Sequence, residues 1–132
     1  MTNKGIHHLG LATHDMEATL RFYEGVLGFP ARVCDLGRPE GGGTTRHAFL
    51  DMGNDELLAF IECNDVPGVP EDFDTGINLG LGINYGPSMI HFAFRVDDEP
   101  ALDAKRSQLL DKGVEVTDVV DHGWSKSIYF TD

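Results

Sequence analysis

The sequence predicts an α+β fold made of two βαβββ modules, and three observations carry the prediction. Two stretches, "GIHHLGLATHDMEATLRFYEGVLGF" and "SMIHFAFRVDDEPALDAKRSQLLDKGVEV", repeat one order of parts: a short apolar strand, acidic residues, then a helix stopped by glycine. A histidine stands at equivalent places in the two strands, His8 and His91. Short strand-like runs separated by turn residues follow each helix. The chain's 132 residues, 41% of them hydrophobic, suit one domain with a real core and would be cramped as two.

Each element has a local cause. Ile6 to Thr13 reads as a strand, and Asp15 stands where a helix N-cap belongs, ahead of Met16, Leu20, Tyr23 and Leu27 at near-helical spacing. Gly28 ends that helix. Ala31 to Cys34, Arg46 to Asp51 and Leu57 to Glu62 read as strands, the last two joined by "MGNDE", a connection suited to a hairpin. They complete a first module over residues 1–63. Residues 64–87 are rich in Gly, Pro, Asn and Asp and lack periodicity, so they read as a linker, and long loops of this kind often serve function.

The second module, residues 88–132, repeats the order. A strand from Met89 to Val96 precedes a helix from about Glu99 to Lys112, which buries Leu102, Leu109 and Leu110 and stops at Gly113. Strands from Val114 to Val120 and from Ser127 to Thr131 follow. Laying Leu50 over Phe130 supplies this module with its third strand but not its fourth. Such an edge would expose backbone groups and core, so the natural protein is expected to continue beyond Asp132.

Charge narrows the partners. Asp and Glu number 22 against 10 Lys and Arg, and the net charge of -12 repels nucleic acid and anionic lipid surfaces. No apolar run approaches the roughly 20 residues of a membrane span, and the N-terminus lacks the apolar stretch of a signal peptide, so a cytoplasmic protein is expected. Cys34 and Cys63 read as packed, free thiols rather than a disulfide framework.

Side chains alternate across a strand, which sorts the histidines. Ile6, His8, Gly10 and Ala12 share one face, opposite His7, Leu9 and Leu11, so His7 reads as a structural residue on the helix-packing face. Met89, His91, Ala93 and Arg95 likewise share a face opposite Ile90, Phe92, Phe94 and Val96. In both modules the bulky residues turn one way and the histidine lies among small ones, as in a lined cavity. A pseudo-twofold would bring the equivalent positions together, and neutral imidazoles are the commonest metal ligands. Two imidazoles and a carboxylate suit Fe(II) or Mn(II), with Zn or Ni as further options. Glu62 shares a face with Leu58 and Phe60 and reaches such a metal only through a bulge, while His47, on one strand face with Thr45 and Phe49, is a candidate to line the cavity and bind substrate.

These segments resemble the vicinal oxygen chelate superfamily of glyoxalase I, fosfomycin and bleomycin resistance proteins, methylmalonyl-CoA epimerase and type I extradiol dioxygenases. The likeness rests on "HHLGLATHDMEATLRFYEGVLGF", "IHFAFRVDD" and "SIYFTD" and spans nearly the whole chain. It implies a glyoxalase-like fold in which paired modules form a mixed sheet curled around a central, metal-holding cavity, and a homodimer. By resemblance, His8 and His91 match the metal ligands of the two first strands, and the fourth-strand ligand of the glyoxalase and epimerase branches falls on Ala59. Three-ligand dioxygenase sites draw their remaining ligand from a Glu on the final strand, which would lie past Asp132.

Tyr129 matches the tyrosine that contacts substrate or oxygen in the ring-cleaving branch, and His122 is a candidate second catalytic contact beside the loop residue Trp124. Ring-cleaving relatives also carry an acid–base histidine before the second ligand, where residues 64–89 here contain none. The resemblance therefore implies a divalent-metal-dependent, dioxygenase-like oxidoreductase acting on a small catechol-like substrate. Its alternatives are a glyoxalase-like lyase or isomerase, and a non-catalytic binder of small molecules such as bleomycin.

Overall fold

A computed structural model describes residues 5–73 and 92–132, which fall into two compact units that divide after Phe92. In the first unit β1 (His8–Ala12) leads to α1 (Met16–Leu20), which continues as a π-helical stretch (Arg21–Val26). Then come β2 (Ala31–Gly37), β3 (Thr44–Gly53) and β4 (Glu56–Asn64). The strands form one sheet in the order β1-β4-β3-β2, with β1 parallel to β4 and the other neighbours antiparallel. This is the mixed βαβββ arrangement predicted for the first module.

Local chemistry sets the boundaries. Asp15 caps α1 through its side chain, which accepts from Ala18 N at 2.8 Å. The wide turn ends where Leu27 N donates to Phe22 O, and Gly28 follows at φ +81°, a conformation that suits glycine. Asn54 and Asp55 turn the hairpin at φ 56° and 60°, the left-handed pair that matches strand twist. One sheet face packs beneath the helix: Met16, Ala48, Leu50, Leu58 and Phe60 form its buried core, with Leu9, Leu11, Leu20 and Tyr23 against them.

A polar lock sits at the edge of that core. Glu62 is only 3% exposed; its carboxylate accepts from Met16 N at 3.0 Å, from Arg46 and from Asn64 Nδ2 at 3.0 Å. Arg46 also reaches Glu17, so one guanidinium ties the first turn of α1 to β4. Glu62 thus belongs to the helix-packing face, as its neighbours Leu58 and Phe60 suggest.

In the second unit α2 (Glu99–Asp111) is capped by Asp98, whose side chain accepts from Ala101 N at 2.8 Å. A two-stranded hairpin pairs β5 (Val120–Asp121) with β6 (Lys126–Ser127). The module is less regular than its sequence suggests. Of the strand expected over residues 89–96, the first three residues lie outside the described ones, and residues 92–96 form no strand. The strands expected over 114–120 and 127–131 shrink to this hairpin and two bonds between Thr117 and Tyr129. Apolar alternation marks a segment able to form a strand; a ladder also needs a paired neighbour.

Leu109 is fully buried, but Leu110 is 43% exposed, because adjacent helical residues point about 100° apart. Cys34, expected to be packed, is exposed on β2, and Cys63 is half-buried. Among the described residues no helix is long and apolar enough to cross a membrane.

Candidate functional site

The face of the first sheet opposite the helix holds the first group of predicted residues. Register places Gly10 and Phe49 on either side of Ala59, and pairs Asp35 with His47 and His47 with Ile61. His8, Phe49 and His47 lie together there: the His8 and Phe49 rings stand 5.9 Å apart, and those of His47 and Phe49 6.4 Å. His47 Nδ1 hydrogen-bonds Asp35 Oδ1 at 3.1 Å. Ala59 is 7% exposed, so the place where some relatives would carry a donor holds a buried methyl group.

His7 departs from expectation. It is exposed rather than packed beneath the helix, and its Nδ1 lies 2.9 Å from His8 Nδ1. It precedes the first ladder residue of β1, so strand alternation does not bind it. Of two neutral rings in such contact one must donate, and donation by His8 leaves its Nε2 lone pair open to a ligand.

The donor chemistry of His8 is that of a metal-binding imidazole, but the described residues do not complete a site around it. No group of three or more His, Cys, Asp or Glu able to hold a metal occurs among them, and His91 lies outside them. Asp51, on the same face, is committed elsewhere: its carboxylate takes Arg32 at 2.6 Å and Gly53 N at 2.7 Å. The Arg32 guanidinium and then the Gly53 amide hold it below the usual carboxylate range. Glu62 is likewise taken up by the helix lock, where Arg46 holds it well below its ordinary pKa, at about 2.

The second unit brings the other two predicted residues together. His122 Nε2 and Tyr129 Oη are hydrogen-bonded at 2.9 Å, with the rings edge to face at 6.3 Å. Thr117 holds the Tyr129 segment in place, donating its backbone N–H to Tyr129 O and accepting from Tyr129 N–H on its hydroxyl. Trp124 is 87% exposed on the hairpin turn. A separate cavity of about 320 Å³ lies between the start of α2 and that hairpin, walled by Val96, Glu99, Leu102, Asp121, Trp124 and Lys126.

Two contacts escaped the sequence reading. Asp35 meets His47 only through the β2–β3 register, which shifts between Ala31 and Val33 and cannot be counted off the chain. His14 Nε2 bonds Phe73 O at 2.8 Å with the rings tilted by 48° and their centres 4.4 Å apart, fastening Phe73 of the linker to the residue just ahead of the α1 cap. No periodic signal marks that pair.

Comparison with known proteins places the architecture. A glyoxalase/bleomycin resistance protein/dioxygenase domain from Frankia sp. EAN1pec is 22% identical with TM-score 0.68, over 98% of this chain and 89% of that one. TnmS3, an antibiotic binding protein from Streptomyces sp. CB03234, is 22% identical with TM-score 0.67, over 100% and 89%. FosX, a fosfomycin resistance protein from Listeria monocytogenes solved as a variant with Mn(II) and a dihydroxypropylphosphonic acid, is 15% identical with TM-score 0.58, over 99% and 86%. At these identities the likeness shows the fold. A search of curated proteins finds no match. The family's sequence profile matches residues 5–132, nearly the whole chain. With the βαβββ sheet and its histidine-bearing first strand, that match makes this chain a member of the glyoxalase/bleomycin resistance protein/dioxygenase superfamily.

Proposed function

We propose that the protein is a divalent-metal-dependent enzyme of dioxygenase type, acting on a small, oxygen-rich, catechol-like substrate. His8 and His91 would hold Fe(II) or Mn(II). A metal of this kind, when bound, lowers the pKa of a coordinated hydroxyl and stabilises the resulting oxyanion. The supporting observation is the His122–Tyr129 hydrogen bond, which joins the two residues singled out as catalytic at 2.9 Å. In this reading the phenol meets the substrate oxygen, while His122 orients the phenol and shares its proton.

The test uses the protein after removal of metal. Mn(II) titration followed by electron paramagnetic resonance should give one tight site per chain, weakened at least tenfold in both His8→Ala and His91→Ala, and Fe(II) loading should permit oxygen uptake on a catechol panel. Metal binding without oxygen uptake would favour a lyase or isomerase using the same proton transfer. The absence of a metal site would favour a binding protein, a reading supported by the methyl group of Ala59 and the aromatic floor of Phe49 on the open face.

A further inference from the structure

We infer that Asp35 and His47 form an acid–base pair on the open face of the first sheet, in which His47 receives the proton of a hydroxyl on a planar aromatic ligand seated against Phe49. The inference rests on the proposed small, oxygen-rich ligand and supplies an acid–base group that the linker's sequence lacks. It starts from the 3.1 Å contact between His47 Nδ1 and Asp35 Oδ1. A carboxylate only accepts, so Nδ1 carries the hydrogen and Nε2 keeps its lone pair. A base oriented by a neighbouring carboxylate is a recurring arrangement in proton transfer.

The surroundings fit a flat ligand. Phe49 stands between two imidazoles, 5.9 Å from His8 and 6.4 Å from His47, and Gly10 and Ala59 beside it carry at most a methyl group. A ring placed over Phe49 finds an aromatic partner and a proton acceptor at its edge. The pair is open to a ligand, with side-chain exposures of 36% for His47 and 56% for Asp35. A contact so exposed contributes little to stability.

The proton balance is simple. The ligand O–H bond breaks, the proton joins the Nε2 lone pair, the electron pair stays on the ligand oxygen, and Asp35 faces the imidazolium that forms. Para-nitrocatechol is a suitable probe because its absorbance moves to longer wavelength when a hydroxyl ionises. At one fixed pH and without added metal, the wild-type protein should bind it with an increased ionised fraction. His47→Gln should bind it roughly tenfold more weakly or worse, with the ionised fraction falling to that of the unbound probe. Asp35→Asn should move both readouts the same way, and thermal melting should show both variants folded.

Nitrogen NMR of the unliganded protein should find the hydrogen of His47 on Nδ1 in the wild type and a mixture of tautomers in Asp35→Asn. Unchanged probe affinity and ionisation in His47→Gln, a hydrogen on Nε2 in the wild type, or no probe binding by the wild type would each overturn the inference. None of these results bears on the Mn(II) titration, so the metal reading stands or falls separately.

Discussion

Glu62 is a carboxylate held almost out of water, and its partners explain why it stays charged. The Arg46 guanidinium is the largest influence, burial opposes it, and the Met16 amide and Asn64 add to it, leaving the group at about 2 rather than its ordinary 4.5. Arg46 is pushed upward in turn, by Glu17 first and then by Glu62. A carboxylate with a depressed folded pKa stabilises the protein above its unfolded pKa, and that contribution disappears as pH falls from 4.5 toward about 2. The size is of order 3 kcal/mol. Urea unfolding across this window should therefore show a loss of stability that is absent in Glu62→Gln, and this variant should be less stable at neutral pH by a similar amount. An identical pH profile in both proteins would show that another group carries the effect.

Among the elements, the helix end at Gly28 offers a clean test. Its φ is +81°, and a Cβ there would meet nothing within 4 Å, so Gly28→Ala isolates the backbone cost of a left-handed residue. The loss should be about 1–2 kcal/mol, read as a lower urea midpoint with unchanged slope. Elements such as this were legible because their causes are local: Asp15 caps α1, glycine stops the helical stretch that continues it, and Asn54–Asp55 turns the hairpin. The first sheet was legible for the same reason. Its strands alternate, and the overlap of His8 with the open face follows from period two.

The second module's strands were not, since alternation says nothing about whether a partner is aligned to receive the hydrogen bonds. Leu109 and Leu110 could be told apart only by seeing which way α2 turns. Within the site, His47 was readable from its face, but its link to Asp35 depends on register across a bulge, and the His14–Phe73 contact spans 59 positions.

For the whole molecule, charge is the dominant feature. A net charge of -12 on 132 residues means that carboxylates repel one another in the folded state. Thermal melting should accordingly rise as sodium chloride is raised from low ionic strength to about 0.15 M, where the screening length shrinks to roughly 8 Å. A midpoint indifferent to salt would mean that the five Lys and Arg ion pairs found among the described residues already offset the repulsion locally.

Arg46 and His47 are neighbours on β3, yet one faces the helix lock and the other the open sheet. A slip of β3 by a single residue would exchange them, pulling the guanidinium from Glu62 and driving the imidazole toward the core. The ion pair thus works as a key cut for one alignment, and the penalty for misthreading the strand guards the placement of His47 on the opposite side.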